Sequence, residues 1–203
     1  SSRGRLFYMI DQEKSSNRTV PSKWFLAARD AFSGVLLWER PLEAESFERR
    51  LEQVWRTLIA DGDRVYAPLG ADRPLSALDA ATGAVIRSYP GTDGLQEVIQ
   101  QRNTLLVVCD ENAILAVGAD TGDRLWQWEP DNGDTIVPLT LAASQGRVFV
   151  KTDQGVCCLS ADEGRTLWTT PLEGPEKKAK LRFPRERLLV ADGVVLCSHG
   201  GKD

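Results

Sequence analysis

The sequence contains a single histidine, His199, and only four cysteines, Cys109, Cys157, Cys158 and Cys197. The cysteine spacings do not match the C-x-x-C patterns of metal and redox sites. A zinc site or a Ser/His/Asp triad would have to be built on His199 alone, so the sequence predicts neither of them.

Long apolar runs and clusters of basic residues are also missing. No run approaches the ~18 apolar residues of a bilayer-spanning helix, and the chain does not start with the charged-then-apolar pattern of a secretory signal. The 25 lysines and arginines are scattered among 29 acids, for a net charge of -4. A nucleic-acid surface needs clustered cations, so none is predicted. Any export signal is expected to lie outside this sequence.

An 11-residue phrase is repeated four times in the 203-residue chain. Its copies span Ala28–Trp38, Ala77–Arg87, Ala116–Trp126 and Cys158–Trp168. The glycine at its seventh position recurs after 49, 39 and 42 residues, and a tryptophan follows four residues later in every copy except the second, which has Arg87. A repeat of this length indicates an array of similar structural units.

Short β-forming runs precede each phrase and are separated by glycine-rich or polar turns, which is a hairpin signal. Four antiparallel strands every 39 to 49 residues are typical of β-propeller blades, so we predict an all-β propeller of four-stranded antiparallel blades, with about four present. The approximate blades are 1–42, 57–90, 97–130 and 138–172, followed by an incomplete fifth at 186–203. Phe47, Leu51, Val54 and Trp55 lie at helical spacing and predict a helical insertion over 43–56.

The residue types of the phrase suit packing between blades better than chemistry. Its first residue is small in three of the four copies, and its aspartate, serine or threonine side chains can bond the turn backbone. The glycine supplies a positive φ, which a Cβ would resist. The tryptophan buries a large ring whose N–H needs a partner once it is buried.

The pattern A-x-D-x-x-T-G-x-x-x-W at this spacing resembles the tryptophan-docking motif of the pyrroloquinoline-quinone (PQQ) repeat family. That family includes quinoprotein alcohol dehydrogenases and non-enzymatic outer-membrane assembly-factor propellers. Longer strings such as PSKWFLAARDAFSGVLLWERPL resemble large exported planctomycete proteins with PQQ-like repeats. The resemblance implies structural docking roles for Trp38, Trp126, Trp168, Gly34, Gly83, Gly122, Gly164, Asp30 and Asp79. It implies a weakened dock at Arg87, whose guanidinium can still stack on a ring or a peptide plane.

Quinone binding, by the same resemblance, would require calcium, an aspartate base, a stacking tryptophan and a vicinal disulfide. Cys157 and Cys158 are adjacent, but neighbouring strand residues point to opposite faces. We therefore predict that they are buried thiols, and interpret Cys109 and Cys197 in the same way. The acidic turns CDEN at 109–112 and EPDNGD at 129–134 could hold calcium, but are interpreted as solvated hairpin tips. No cofactor, metal site or catalytic residue is predicted, and PQQ with calcium belongs only to the alternative below.

Family propellers usually close with seven or eight blades. About four blades would then be part of a longer polypeptide, a ring that closes by pairing its terminal strands, or half of a ring made from two chains. The predicted function is a non-catalytic scaffold or protein-interaction propeller, periplasmic or exported by resemblance and placed at the cell envelope. Its partners would be proteins, or further copies through open blade edges. The alternative is a fragment of a PQQ- and calcium-dependent quinoprotein dehydrogenase.

Overall fold

Antiparallel β-strands make up the secondary structure of the computed structural model, which describes residues 1–12, 23–43, 56–70, 72–110, 112–131, 133–172 and 187–198. This confirms the predicted all-β class with blades that are mostly four-stranded. The helical insertion was predicted over 43–56. Residues 44–55, which include Trp55, lie outside the part of the chain that the structure describes. No helix among the described residues is long and apolar enough to cross a membrane.

Within the described residues the strands form four larger sheets and a hairpin, each in chain order. Sheet 1 has order β1-β2-β3 with β1 Arg5–Asp11, β2 Trp24–Asp30 and β3 Leu36–Pro41. Sheet 2 has order β4-β5-β6-β7 with β4 Ile59–Asp61, β5 Arg64–Pro68, β6 Leu75–Asp79 and β7 Val85–Ser88. These two sheets lie in a compact unit, Ser1–Leu95.

A second compact unit, Gln96–Asp203, contains the remaining sheets. Sheet 3 consists of β8 Leu95–Gln101, β9 Thr104–Cys109, β10 Ala113–Gly118 and β11 Arg124–Trp128. Sheet 4 consists of β12 Ala142–Ser144, β13 Arg147–Lys151, β14 Gly155–Ser160 and β15 Thr166–Pro171. The hairpin pairs β16 Leu188–Ala191 with β17 Val194–Cys197.

The core consists of apolar side chains packed between neighbouring sheets. In the first unit, Phe7 and Leu26 of sheet 1 meet Val65 and Leu78 of sheet 2. In the second unit, a cluster of Leu106, Ile114, Val148, Val150 and Leu159 joins sheets 3 and 4, and a smaller one of Phe149, Val156, Cys158 and Leu188 joins sheet 4 to the hairpin. The inner strands are buried on both faces, which explains why their apolar residues are continuous. Alternating apolar and polar residues would indicate that one face is exposed to solvent.

Candidate functional site

The four copies of the phrase occupy the same place in their sheets. In each copy the first residue is the cross-strand partner of the eleventh, and a register shift follows immediately after it. These pairs are Ala28 with Trp38, Ala77 with Arg87, Ala116 with Trp126, and Cys158 with Trp168. Arg87 stands at the position where the other three sheets carry a tryptophan, and its side chain is exposed.

The turn that joins the last two strands of each of the four sheets has one backbone geometry in all copies, and we call it the phrase turn. In the first copy Gly34 N–H donates to the Asp30 carbonyl at 2.9 Å, and Asp30 N–H donates to the Val35 carbonyl at 2.9 Å. The other three turns repeat both bonds. The seventh-position glycines have φ between +68° and +82°, a backbone region where a Cβ is disfavoured.

Aspartates at the third position tie together the first two phrase turns. Oδ1 of Asp79 accepts from Ala81 N–H, Thr82 N–H and the Thr82 hydroxyl at 2.8–2.9 Å, and Asp30 accepts the equivalent three bonds. The Thr82 hydroxyl and then its backbone N–H lower the pKa of Asp79. For Asp30 the backbone N–H of Ser33, followed by its hydroxyl, lowers the pKa.

The third phrase turn has glycine in place of the aspartate, and its threonine is oriented differently. An added Cβ on Gly118 would lie 2.5 Å from the hydroxyl oxygen of Thr121. That hydroxyl accepts from Asp123 N–H at 3.2 Å. In this orientation the threonine side chain occupies the space of a third-position Cβ, so a larger residue at position 118 would require Thr121 to turn.

Two of the tryptophans lie on the phrase turn of the next sheet along the chain. Trp38 Nε1 donates to the Ala80 carbonyl at 3.0 Å, and Trp126 Nε1 donates to the Ala161 carbonyl at 2.9 Å. An added Cβ would lie 2.8 Å from the Trp38 ring at Gly83, and 2.5 Å from the Trp126 ring at Gly164. Glycine is therefore needed at both places for its φ and also for the space that the indole takes.

Trp168 and Gly34 have surroundings that differ from these pairs. Trp168 is 37% exposed, and its Nε1 meets no acceptor among the residues that the structure describes. Gly34 has no atom within 4 Å of an added Cβ. Equivalent positions in the phrase thus differ in what surrounds them.

A shallow groove of about 320 Å³ runs beside Trp38. It is lined by Trp38, Glu39, Arg40, Pro41, Thr82 and Gly83. Arg40 Nη1 donates to the Gly83 carbonyl at 3.1 Å, and Glu39 accepts from Gln12 Nε2 at 2.6 Å. Both charged side chains of the groove therefore already have partners within the protein.

The cysteines are free thiols, and Cys157 and Cys158 are buried in different clusters on opposite faces of β14. This confirms the prediction for that pair, and Cys109 is buried as well. The prediction for Cys197 was wrong in degree, because this residue lies at the end of β17 and is only partly buried against the cluster that joins sheet 4 to the hairpin. Burial raises the pKa of both Cys157 and Cys158, so it suppresses the reactive thiolate.

The acidic turns contain one structural residue that the sequence interpretation missed. The Asn112 side chain donates to the Asp134 carbonyl at 2.8 Å and accepts from Ile136 N–H at 2.7 Å. It therefore joins the CDEN turn to the connection before sheet 4. No group of three potential metal ligands occurs within the described ranges, and His199 lies outside them.

Two threonines in the connections between sheets were also missed. Thr92 Oγ1 donates to the Tyr89 carbonyl at 2.7 Å and accepts from Leu75 N–H at 2.8 Å. Thr140 makes the same pair of bonds with the Val137 carbonyl and Lys151 N–H. The Pro-Gly pair of YPGT indicates a type II turn, but neither this sequence nor VPLT shows which backbone groups the threonine reaches.

Comparisons with known proteins agree with this geometry. The family model for the outer membrane protein assembly factor BamB matches residues 110–202. BamB from Moraxella catarrhalis is 19% identical with a TM-score of 0.56, over 80% of this chain and 48% of that one. The designed protein Ika8 is 17% identical with a TM-score of 0.62, over 87% of this chain and 52% of that one. The chain therefore spans about half the length of these two structures.

A quinohemoprotein alcohol dehydrogenase from Comamonas testosteroni shares the fold, with 16% identity and a TM-score of 0.53 over 83% of this chain and 33% of that one. No curated protein matches the sequence. The phrase, the antiparallel blades and the family match together define a β-propeller. Over residues 110–202 the chain is similar to propellers built from PQQ-like repeats, and its closer resemblance to planctomycete proteins stays a prediction.

Proposed function

We propose that this chain is a non-catalytic PQQ-like propeller module that binds other proteins, and that it acts at the cell envelope. Its sheets and terminal hairpin would be successive blades of one propeller. In this proposal Trp38 and Trp126 dock neighbouring blades, and the phrase-turn glycines and aspartates shape the docks. In this proposal these phrase residues stabilise the packing between blades, and the partner binds to other residues on the surface of the propeller.

The outermost strands carry the observation that supports a binding role. Each of them exposes an aliphatic side chain at the tenth position of the phrase: Leu37, Ile86, Leu125 and Leu167, with 40% to 53% of each side chain accessible. These strands are also edges of their sheets, so their free backbone groups can pair with an added strand. Exposed apolar side chains beside a free strand edge favour a protein partner over a small polar substrate.

The envelope location is supported by the family match, since BamB is by name an outer-membrane assembly factor. Fold similarity alone does not transfer a partner, because one propeller fold serves many functions. The partner of this chain is therefore proposed only as a class, a protein that offers an extended apolar segment.

The quinoprotein alternative is tested by calorimetric titration of the purified chain with PQQ, with and without calcium. The proposal expects no saturable heat in either titration. Saturable, calcium-dependent binding would overturn it and favour the dehydrogenase class.

The binding surface is tested by affinity capture from an envelope fraction with the double variant Leu125→Ser and Leu167→Ser. Proteins retained by the wild-type chain should be lost from this variant. The double variant Gln127→Ser and Thr170→Ser is the control, because it changes exposed polar residues on the same two strands and should retain them. Equal capture by all three chains would exclude this surface as the binding site.

A further inference from the structure

The phrase turn of sheet 1 carries an exposed apolar patch. It consists of the fifth, eighth, ninth and tenth residues of the first phrase, and we call it the tip patch. Its members are Phe32 at 91% exposure, Val35 at 59%, and Leu36 and Leu37 at 44% each. Single exposed apolar side chains are common on protein surfaces, whereas several on one turn mark a candidate binding site.

The exposure of the tip patch does not depend on whether another sheet covers sheet 1. The phrase turn of sheet 2 receives Trp38. Its residues at the same four positions are exposed as well: Ala81, Ala84, Val85 and Ile86. The turn that receives Trp126 likewise exposes Arg165 and Thr166, its eighth and ninth residues. These positions therefore face solvent in covered turns too.

The other copies of the phrase carry small or charged residues at the two most exposed positions. At the fifth position they have Ala81, Asp120 and Asp162, and at the eighth Ala84, Asp123 and Arg165. All four turns share the same backbone bonds, so the turn itself requires neither a phenyl ring nor an isopropyl group. Apolar area in water is unfavourable, so Phe32 and Val35 indicate a surface that a partner covers.

Phe32 is held in place before any partner binds. Its N–H donates to Asp30 Oδ1 at 3.1 Å, and the same oxygen accepts from Ser33 N–H at 2.7 Å. Its ring lies against the turn before β1, where an added Cβ on Gly4 would be 3.2 Å from the ring atom Cε2. A fixed backbone and a supported ring reduce the entropy that binding costs.

The charges beside the tip patch favour a protein over a membrane surface. Membrane-surface anchors combine apolar side chains with lysines and arginines that meet anionic headgroups. Arg3 is paired with Asp63. Arg5 interacts with the carboxylates of Asp30 and Asp79. These acids offset both cations, and the chain has a net charge of -4, so its attraction to an anionic surface is weak.

The size of the tip patch favours a partner with a pocket over a second copy of this chain. An aromatic side chain buries about 150–250 Å², so the whole patch offers on the order of 400 Å². Stable complexes bury about 800 Å² on each partner, so two copies that meet through this patch alone would not form a stable dimer. One ring inserted into an apolar pocket instead concentrates the binding energy in a single residue.

We propose that Phe32 anchors a protein partner whose surface offers an apolar pocket for one phenyl ring. Val35 and Leu36 pack against the rim of that pocket. This inference rests on the proposed function, the binding of other proteins, and adds a contact at the phrase turn of sheet 1 to the one on the outer strands.

Photo-crosslinking from position 32 tests the contact. The probe is p-benzoylphenylalanine, placed at position 32 or, as the control, at position 81, the exposed fifth position of the sheet 2 turn. Irradiation in an envelope fraction should attach a protein to the first chain and not to the second. Equal crosslinking from both positions, or none from position 32, would overturn the proposal.

Calorimetric titration with the crosslinked protein in purified form measures the contribution of the ring. Phe32→Ser should weaken binding at least about tenfold, as expected for an aromatic anchor, and should leave the urea midpoint unchanged because the side chain is exposed. Ala81→Ser should bind like the wild type. A Phe32→Ser chain that binds as tightly as the wild type would overturn the anchor.

Two further comparisons separate the possible causes of failure. Phe32-dependent cosedimentation with phosphatidylglycerol vesicles would overturn the protein partner in favour of a membrane. If Phe32→Ser retains the captured proteins while the Leu125→Ser and Leu167→Ser double variant loses them, the proposed function stands and this inference fails. If the wild-type chain captures no protein from the envelope fraction, both fail.

Discussion

At the scale of single residues, the phrase glycines combine two requirements that the sequence does not separate. All of them have positive φ, which the turn pattern predicts. Only the structure shows that Gly83 and Gly164 also lie under an indole ring, while Gly34 does not. The second requirement depends on a neighbouring sheet and has no local signal.

Substitution of two glycines separates these requirements. Gly34→Ala should cost about 1 kcal/mol in the free energy of unfolding, because it places a Cβ at positive φ. Gly83→Ala has the same backbone strain and also brings its Cβ to 2.8 Å from the Trp38 ring, so it should cost a further ~1–3 kcal/mol from overpacking. Urea unfolding followed by tryptophan fluorescence measures both, and equal losses would contradict a packed dock at Gly83.

At the scale of elements, the phrase turn is a local structure that its own residues specify. In the second copy, an aspartate at the third position and a threonine at the sixth bond to each other and to the turn backbone. In the third copy, glycine replaces the aspartate and the threonine hydroxyl takes its space. The turn thus keeps its backbone with two different side-chain solutions.

The stabilising charge of Asp79 should make the turn sensitive to pH. Its hydrogen bonds lower the pKa in the folded protein, so the contribution is present above the pKa of the unfolded chain and is lost as pH falls through the folded pKa. Asp79→Asn should therefore destabilise the protein near neutral pH, and the difference from wild type should shrink below the ordinary aspartate pKa.

Urea unfolding of both chains at neutral and strongly acidic pH measures this difference. Asp162→Asn is the control, since Asp162 is an exposed phrase-turn aspartate without a hydrogen bond inside the described residues. It should show little change at either pH. A loss for Asp79→Asn that is equal at both pH values would mean that geometry, and not charge, explains the effect.

At the scale of the whole molecule, stability comes from apolar layers between sheets, as the continuous burial of β9 and β10 indicates. Leu159 is fully buried between sheets 3 and 4, and Leu125 is 53% exposed on an outer strand of the same unit. The same substitution at these positions therefore tests the packed core against the exposed rim.

Leu159→Ala should lower the free energy of unfolding by about 2–5 kcal/mol, because it leaves a cavity in the core. Leu125→Ala should change it by no more than about 0.5 kcal/mol. Thermal and urea unfolding measure both changes. A small loss at Leu159 would mean that the layer between sheets 3 and 4 is loosely packed.

The sequence by itself determined the all-β class, the strand order within each blade, the turn glycines and the shared register of the phrase. These features follow from local periodicity and turn chemistry, and nearby residues encode both of them. Tertiary structure alone decided that Trp38 reaches the Ala80 carbonyl, 42 residues away, and that Cys197 is less buried than the other cysteines. It also decided that Thr92 and Thr140 close the connecting turns. Such contacts depend on how sheets stack, and stacking is set by the combined burial of many side chains.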